Sequence, residues 1–446
     1  MSKSKQIRPV WNRRSFLKAA GAATLLPAWF SEQCRSLAET PQPRSPNERP
    51  SLALIGCGGQ GRGDAKNASR FANIVAVCDV DSKHAGDASK QFNDAKIYSD
   101  FRKLLERKDI DAVINATPDH WHTLVNLAAI KAGKDVYSEK PLTLTIDEGK
   151  RLVAAVKRSG RILQTGSQQR SDPRFRLACE LVRNGRLGKL TQITTILPAG
   201  LNQGPFKSAP VPKELDWEFW QGQTPAHEYM PQRTHLYFRY WLDYSGGTMT
   251  DWGAHHNDIA LWGMGLDRSG PLTIEGKALV KQIEGGYTAP SEYEVEYTYA
   301  NGVHHRCVST TANTIFGSVA RKPKEGELLH GVKFEGPEGW IYVTRGKLEA
   351  SQPELIKEPL KSKKVELYVC NDQMGNFFDC IRSRKAPICE AEIGHRSVSV
   401  CHLGVIAIRL GRKLNWDPAK EEFVNDKEAN GYLAREMRKP WNYEMI

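Results

Sequence analysis

The chain has 446 residues, of which 40% are hydrophobic and 26% charged, a composition typical of globular proteins. This length exceeds what one compact core accommodates and predicts a leader followed by two domains. The formal charge of +12 would suit nucleic acid, but residues 1–38 alone contribute +6 of it. The other 56 basic and 50 acidic residues form no basic run interleaved with aromatics, which disfavours a nucleic-acid partner.

Residues 1–38 are typical of an export signal. Arg13-Arg14-Ser15-Phe16-Leu17-Lys18 fits the twin-arginine pattern, and the apolar stretch Ala19 to Phe30 follows it. About a dozen apolar residues are too few to span a bilayer, and Ser36-Leu37-Ala38 offers small residues for cleavage near Ala38. We therefore expect the Tat export machinery as a partner, a periplasmic location after cleavage, and no membrane span.

Two other interpretations of the leader are weaker. One is a basic, disordered tail. The other is a lipoprotein anchor at Cys34, which Gln33 disfavours because a small residue is expected before the cysteine.

The eight cysteines beyond Cys34 are scattered without CxxC pairs, so we expect small buried hydrophobes and neither a disulfide framework nor a zinc site.

A Pro-rich polar linker, residues 39–50, precedes an alternation of strands and helices over residues 51–170. Strands are predicted at Ser51–Ile55, Ile74–Cys78, Ala112–Ala116, Asp135–Ser138 and Ile162–Thr165. Helices are predicted at Gly63–Arg70, Lys83–Phe92, Asp100–Arg107, His122–Ala132 and Ile146–Ser159. Repeated units of this length predict an α/β fold, a doubly wound parallel Rossmann sheet with helices on both faces.

Residues 171–446 have a different pattern. A helix at Arg174–Asn184 is followed by strand-like runs at Leu190–Ile196, Thr273–Lys281, Tyr293–Ala300, Val303–Thr310, Gly331–Glu335 and Gly339–Thr344. Helices at Met374–Arg382 and Arg396–Leu414 close the chain. Contiguous strands with few helices between them predict a second, α+β domain with a large, open, mostly antiparallel sheet.

The segment Gly56-Cys57-Gly58-Gly59-Gln60-Gly61 lies between a predicted strand and a predicted helix, the context of a dinucleotide-binding turn. Its glycines permit the tight turn, the approach of the pyrophosphate and the packing of helix on strand. Asp79, at the end of the second strand, is placed to bind ribose hydroxyls and disfavours a 2′-phosphate. We therefore predict NAD in preference to NADP, although the positive charge of Lys83, close to Asp79 in the sequence, leaves NADP as the alternative.

Two further segments carry candidate catalytic groups. Lys140 follows the strand Asp135–Ser138 at the ligand-binding end of the sheet, although it could be a surface lysine beside Pro141. If residues 251–262 form one helix, Asp251, His255 and Asp258 share a face, so the Asp251 carboxylate could orient the His255 imidazole as a general base. A structural His–Asp pair and, less favoured, a metal site are the alternatives.

The stretch Asp216–Tyr244 is rich in aromatic and polar residues, which together suit a carbohydrate. Such aromatics are as often core residues. The candidate substrate contacts from this stretch and the following helix are Arg239, Trp241, Tyr244, His256 and Asp258.

The combination of motifs resembles the glucose–fructose oxidoreductase, inositol dehydrogenase and rhizopine catabolism (Gfo/Idh/MocA) family over roughly residues 50–410. The motifs are Gly56–Gly61, Thr117-Pro118-Asp119-His120-Trp121-His122, Glu139-Lys140-Pro141 and the Asp251-x-x-x-His255 spacing. The resemblance implies a Rossmann domain followed by an open-sheet α/β domain that often forms oligomer interfaces, hence a homodimer or homotetramer. It also implies hydride transfer at a hydroxyl of a sugar, glycoside or cyclitol.

Position by position, the resemblance makes Lys140 the catalytic lysine, Asp251 and His255 the acid/base pair, and His122 a residue near the nicotinamide ribose. The expected cofactor contacts are Gly56, Gly58, Gly59, Gln60, Gly61, Asp79, Thr117, Pro118, His122, Glu139 and Lys140, and no metal is expected. Asp119 departs from the family, in which many members have Asn at this position. Some exported relatives carry a Tyr- and His-based motif in place of the pair at Asp251 and His255.

Three functions remain open at this point. The first is an NAD(P)-dependent oxidoreductase acting on CH–OH groups. The second is a glycosidase or lyase that oxidises a sugar transiently with a tightly bound cofactor. The third is a non-catalytic sugar- or NAD-binding protein. Because a periplasm is not expected to hold free NAD, export would favour a cofactor that is retained and recycled.

Overall fold

The computed structural model describes residues 26–27, 29–30, 49–314, 324–325, 327–360 and 362–445. The twin-arginine motif, the cleavage site near Ala38, Cys34 and most of the linker lie outside the described residues. Among the helices that are described, none combines the length and the apolar character needed to cross a membrane.

The first sheet has six parallel strands in the order β3-β2-β1-β4-β5-β6. The strands are β1 Ser51–Ile55, β2 Asn73–Cys78, β3 Lys96–Tyr98, β4 Ala112–Asn115, β5 Asp135–Ser138 and β6 Leu163–Thr165. The helices are α1 Gly59–Ala68, α2 Ser82–Gln91, α3 Phe101–Leu105, α4 Asp119–Lys131 and α5 Ile146–Ser159. Residues of β1 and β4 are buried along almost their whole length, because helices cover both faces of the sheet. The predicted doubly wound fold is confirmed.

Strand order reverses between β1 and β4, and this reversal opens a crevice at the carboxyl ends of the two strands. Two helices that border the crevice begin earlier than predicted. Helix α1 begins at Gly59, inside the glycine turn, and α4 begins at Asp119 with Pro118 as its N-cap. Both helix N-termini therefore point at the crevice. Strand β3 has only three residues, too few for a recognisable pattern, and was not predicted.

The second sheet has nine strands in the order β13-β12-β11-β7-β10-β9-β8-β14-β15. The strands are β7 Gln192–Ala199, β8 Thr273–Ala278, β9 Tyr293–Thr298, β10 His304–Thr314, β11 Gly331–Gly336, β12 Gly339–Thr344, β13 Lys347–Ala350, β14 Leu414–Asp417 and β15 Glu422–Phe423. Among the strand pairs of the described residues in this sheet, only β7 and β10 are parallel, so the predicted mostly antiparallel sheet is confirmed.

Eight helices accompany this sheet: α6 Pro173–Arg183, α7 Trp217–Gln221, α8 Thr248–Asp251, α9 Gly253–Met264, α10 Glu354–Lys357, α11 Gln373–Ser383, α12 Ala391–Leu410 and α13 Lys427–Asn430. These are the helices of the described part of residues 171–446. The single helix expected over residues 251–262 is interrupted. Asp251 ends α8 and His255 lies in the first turn of α9, although Trp252 between the two helices keeps helical backbone angles (φ −81°, ψ −31°).

The two sheets are joined by close helix packing. Helix α12 lies against α5, where a Cβ on Gly149 would fall 1.9 Å from His395 Nδ1. Helix α11 returns to the first sheet, and Arg70 forms two hydrogen bonds with Asp372 just before it. The 371–380 region of the second half of the chain therefore belongs spatially to the first domain.

Part of the predicted leader packs against the second domain. The Phe30 side chain is fully buried in the core that includes Phe175 and Phe334, with Leu26 and Trp29 against the same core. The Arg176 guanidinium lies 4.3 Å from the centre of the Phe30 ring. Trp29 Nε1 also donates a hydrogen bond to the Lys357 carbonyl at 2.9 Å.

Candidate active site

The glycine turn between β1 and α1 is shaped by steric limits. Gly56 has φ 89°, and a Cβ there would lie 2.5 Å from the Ala116 carbonyl. A Cβ on Gly61 would lie 2.0 Å from the Gly56 carbonyl oxygen. At Gly58 and Gly59 a Cβ would meet no atom within 4 Å, so the backbone faces open space at a helix N-terminus. This is the arrangement that receives a pyrophosphate.

Asp79 directly follows β2 and lies at one end of the crevice. One of its carboxylate oxygens accepts the Cys57 N–H at 2.7 Å, and the other accepts the Asp81 N–H at 2.9 Å. These bonds fix the carboxylate beside the glycine turn, where it also lines the crevice. Burial raises the pKa of Asp79, although both backbone hydrogen bonds act to lower it.

A cavity of about 500 Å³ occupies the crevice. It is lined by every residue predicted to contact the cofactor: Gly56, Gly58, Gly59, Gln60, Gly61, Asp79, Thr117, Pro118, His122, Glu139 and Lys140. The shape, the open glycine backbone and the carboxylate therefore fit a dinucleotide.

His122 connects two loops of the site. Its ring nitrogens lie 2.7 Å from the Pro141 carbonyl and 2.8 Å from the Thr117 carbonyl. The ring thus ties the loop after β4 to the loop after β5, and Lys140 lies in the second of these loops. Burial lowers the pKa of His122 to about 4, so the imidazole is neutral near pH 7.

Lys140 forms an ion pair with Asp251 across the two domains. The Nζ atom lies 2.5 Å from Asp251 Oδ1, and Arg239 Nε lies 3.4 Å from the same oxygen. Burial alone would raise the pKa of Asp251, but the ammonium and the guanidinium outweigh it and lower the pKa to about 2. Asp251 is therefore fully ionised and neutralises part of the local positive charge.

The expected contact between Asp251 and His255 is wrong. His255 Nδ1 is buried without a hydrogen-bond partner among the described residues, and the Asp251 carboxylate is engaged by Lys140 and Arg239 instead. Burial, followed by the charges of Lys140 and Arg345, lowers the pKa of His255 well below its usual value. The imidazole is neutral, and no carboxylate stabilises its charged form.

Asp119 is a second carboxyl group in the cofactor cavity. It begins α4 and accepts a hydrogen bond from the Ser245 hydroxyl at 2.5 Å. Burial raises the pKa of Asp119 to about 7, although Arg239 and the hydrogen bond from Ser245 act to lower it. The Asp119 carboxyl, at a position where many family members have Asn, therefore gains or loses its proton near neutral pH.

A smaller cavity of about 150 Å³ adjoins the cofactor cavity. It is lined by Gln60, Glu139, Lys140, Gln168, Trp252, His255 and Arg345, of which the first three also line the larger cavity. The candidate catalytic side chains Lys140 and His255 thus meet in a polar pocket beside the expected position of the cofactor. We identify this pocket as the candidate substrate site.

Four of the five predicted substrate contacts lie elsewhere. Asp258 is fully buried and binds Arg170 through two hydrogen bonds of 2.7 and 2.8 Å. His256 is also buried, with Nε2 3.2 Å from His330 Nδ1. These two side chains face the core, and neither lines the cofactor cavity or the smaller cavity beside it.

Trp241 and Tyr244 belong to an aromatic core. The Arg233 guanidinium carbon lies 3.7 Å from the centre of the Trp241 ring, and the Tyr244 ring packs edge-on against the Trp220 ring. Both are buried, and neither lines either of the two cavities in the described part of the chain. Of the five, Arg239 alone lines the cofactor cavity, because it lies on the side of this segment that faces Lys140.

Sequence reasoning missed Arg345, Trp252 and Gln168. Arg345 lies in the two-residue turn between β12 and β13, where Gly346 has φ 81°. Its guanidinium lies 4.8 Å from the centre of the Trp252 ring. Gly346 indicates a turn at this position, but the sequence does not show which loop of the second sheet reaches the first domain.

The other end of the cofactor cavity is closed by residues from both domains. The rings of His84 and His235 lie 4.7 Å apart beside Asp79, and both line the cavity. Phe219, Trp220 and Phe238 add apolar surface from the same aromatic-rich segment. The segment Asp216–Tyr244 therefore covers the cofactor cavity as well as forming its own core.

Together, the doubly wound sheet, the glycine cradle and the adjoining polar pocket define a dinucleotide-binding protein with two domains. Residues 51–167 match the NAD-binding Rossmann fold of an oxidoreductase family, and residues 199–443 match that family's C-terminal alpha/beta domain. The chain belongs to this family, the Gfo/Idh/MocA oxidoreductases.

Curated relatives match part of the chain. An inositol 2-dehydrogenase of Saccharopolyspora erythraea is 32% identical over 150 residues, which is 33% of this chain and 44% of that protein. The inositol 2-dehydrogenase of Acidothermus cellulolyticus is 37% identical over 141 residues, 31% of this chain and 41% of that protein. The chain thus spans less than half the length of the curated relatives it matches.

Solved structures share the fold over both domains. The WlbA dehydrogenase of Bordetella pertussis, in complex with NADH and UDP-GlcNAcA, has a TM-score of 0.62 at 18% identity and covers 83% of this chain and 99% of its own. The aldose-aldose oxidoreductase of Caulobacter crescentus has a TM-score of 0.61 at 18% identity, covering 82% and 100%. At this level of identity the similarity concerns the fold.

Proposed function

We propose that the protein is an NAD-dependent oxidoreductase that transfers a hydride from a CH–OH group of a sugar, glycoside or cyclitol. The observation that carries the proposal is the junction of two cavities at Lys140. The larger cavity has the features of a dinucleotide site, and the smaller one contains Lys140 and His255. A polyol of modest size in the smaller cavity would present its hydroxyl to both side chains. The inositol dehydrogenases among the relatives support this substrate class.

The chemistry that NAD supplies when bound is acceptance of a hydride from the substrate carbon. The residues of the chain handle the proton and the developing charge. The neutral His255 imidazole accepts the hydroxyl proton, and the Lys140 ammonium stabilises the negative charge that develops on the oxygen. Asp251 acts on Lys140 by holding its ammonium in position. The carbon loses a hydride and the oxygen a proton, which leaves a carbonyl.

We propose NAD in preference to NADP. A 2′-phosphate would approach the Asp79 carboxylate, whose position two backbone hydrogen bonds fix. Lys83, the reservation raised by the sequence, is exposed and forms an ion pair with Asp87 at 2.7 Å. It is absent from the described lining of the cofactor cavity.

We also propose export through the Tat pathway, retention of the cofactor in the exported enzyme, and assembly into a homodimer or homotetramer. The twin-arginine pattern supports export, and we propose retention because a periplasm is not expected to hold free NAD. Mass spectrometry of the protein purified from the periplasm tests retention, because a released cofactor would leave the enzyme free of NAD(H). Light scattering of the same sample tests the oligomeric state.

The activity is tested with purified enzyme, NAD and a panel of aldoses and cyclitols that includes myo-inositol, with NADH formation as the readout. Lys140→Met and His255→Ala are each expected to lower turnover by roughly 10²–10⁴-fold while NAD affinity stays within a few fold. Lys103→Met, which removes an exposed ion pair with Glu106, is the matched control.

Release of an aglycone from glycosides without net NADH would instead support a glycosidase or lyase. NAD binding without turnover on the whole panel would support a binding protein.

A further inference from the structure

Arg345 places a fixed positive charge at the small cavity. It is the first residue of the two-residue turn between β12 and β13, and its guanidinium packs over Trp252. In the amide orientation that satisfies its neighbours, Gln169 accepts a hydrogen bond from Arg345 Nε at 3.2 Å. Stacking and this hydrogen bond orient the guanidinium plane and leave its terminal nitrogens available to a ligand.

Among the residues that the structure describes, no carboxylate forms an ion pair with the Arg345 guanidinium. Asp251, Glu139 and Asp172 attract it from a distance, and Asp172 pairs with Arg174 at 2.8 Å. The Asp251 carboxylate is engaged by Lys140 and Arg239, and Glu139 accepts amide hydrogens from Gln60 and Gln168 at 3.5 and 3.3 Å. A partly desolvated guanidinium that stays charged and lacks a partner favours binding of an anion.

The surrounding charges also favour an anion. Two cations, Lys140 and Arg345, line the small cavity, and the one carboxylate that pairs with Lys140, Asp251, is shared with Arg239. Burial raises the pKa of Glu139, which reduces its competition as a counterion. The anion in question is not the cofactor pyrophosphate, because that group is expected at the glycine turn, of which only Gln60 borders the small cavity.

We propose that Arg345 binds an anionic group, a carboxylate or a phosphate, carried by the polyol substrate, so that the enzyme prefers acidic sugars to neutral ones. The inference rests on the proposed function, since Lys140 and His255 identify the cavity as the place of the reacting hydroxyl. The anionic group would lie on a carbon near the oxidised one, because the same cavity of about 150 Å³ holds both. Arg345 is then a residue that determines specificity.

The first test compares D-glucose, D-glucuronate and D-glucose 6-phosphate as substrates with NAD. The wild type is expected to have a higher kcat/KM for an acidic sugar than for glucose, and the two acidic sugars distinguish carboxylate from phosphate. Arg345→Gln is expected to lower kcat/KM for the preferred acidic sugar by roughly ten- to a hundredfold, the loss of a charge-assisted hydrogen-bonded pair. Arg345→Lys should recover part of this loss. The value for glucose should change only a few fold.

Lys347→Gln is the matched control, because Lys347 lies on the same hairpin and pairs with Glu349 away from the cavity. It should leave the preference for acidic sugars unchanged. If the wild type oxidises glucose and glucuronate equally well, or Arg345→Gln keeps the wild-type preference, the anion site is refuted and the proposed oxidation stands.

A second measurement does not depend on turnover. Titration calorimetry of the enzyme saturated with NADH should detect glucuronate or glucose 6-phosphate, with an affinity that falls in Arg345→Gln and at high salt. If neither acidic sugar binds to the wild-type complex, the proposal fails. If they bind through Arg345 but no sugar is oxidised, the anion site stands and the proposed function fails.

Discussion

Lys140 Nζ lies 2.5 Å from Asp251 Oδ1, and this ion pair joins the loop after β5 of the Rossmann sheet to helix α8 of the second domain. The two domains thus meet at a charged contact inside the candidate site. Because the same lysine borders both cavities, the pair positions it between the expected cofactor and the expected substrate.

Asp251→Asn removes the counterion of Lys140 and Arg239. Leaving two largely buried cations unpaired should lower the free energy of unfolding by about 3–5 kcal/mol at pH 7. The folded-state pKa of about 2 lies below the unfolded value, so the wild type has this stabilisation above about pH 4 and loses it as the pH falls towards 2. Denaturant unfolding of both proteins should therefore show a difference that narrows in acid.

Asp147→Asn is the control for this comparison, because Asp147 forms an exposed ion pair with Arg151. Its effect should not exceed about 1 kcal/mol. A difference between wild type and Asp251→Asn that stays constant down to pH 2 would mean that the carboxylate is not held ionised by its neighbours.

Asp119→Asn tests the carboxyl group whose pKa burial raises to about 7. Because the folded pKa is raised, the wild type loses stability as the pH rises from about 4 to 7, by up to about 1.4 kcal/mol per pH unit, and the variant does not. The variant should therefore gain stability relative to the wild type between pH 5 and pH 8. If Asp119 also influences turnover, an inflection of kcat/KM near pH 7 should disappear in the variant.

Asp258→Asn tests the reassignment of Asp258 from substrate contact to core. Removing one partner of its buried pair with Arg170 should cost about 3–5 kcal/mol of unfolding free energy. The KM of the folded variant should remain near that of the wild type. Asp267→Asn removes the more exposed, 3.1 Å partner of Arg170 and should cost less. A large rise in KM with unchanged stability would return Asp258 to the substrate site.

Two glycine variants separate folding from cofactor binding. Gly58→Ala meets no atom within 4 Å and has φ −65°, so its melting temperature should match that of the wild type. The new methyl group occupies the space expected for pyrophosphate and should weaken NAD binding by about tenfold or more. Gly61→Ala collides with the Gly56 carbonyl and should lower the melting temperature. Equal NAD affinity in Gly58→Ala and wild type would contradict the assigned cradle.

The Rossmann half of the fold was predictable because its signals are local. Apolar runs such as Leu52–Ile55 alternate with helical segments, and glycines mark a turn whose geometry admits no other residue at Gly56 and Gly61. The glycines and Asp79 in the cavity lining followed from this local pattern, whereas the assignment of His122 came from the family resemblance. The short strand β3 and the helix starts at Gly59 and Asp119 did not follow, since three-residue strands and glycine-rich helix starts carry little pattern.

The substrate side was less predictable because it depends on contacts between distant segments. Asp251 and Asp258 would share a helix face, but they are separated by about 10 Å along the helix axis, so Asp251 pairs with Lys140 while Asp258 pairs with Arg170. Arg345 lies 205 residues after Lys140 in the chain and reaches the same cavity through the order of strands in the second sheet.

The burial of Phe30 links any processing of the predicted leader to the stability of the folded protein. A cut near Ala38 would remove a fully buried aromatic ring from the second domain and leave Arg176 without the ring that covers it. A void of this size typically costs about 3–5 kcal/mol. A cut before Leu26 would keep the ring in its core. The position of the mature N-terminus therefore decides whether Phe30 belongs only to the export signal or also to the hydrophobic core of the exported protein.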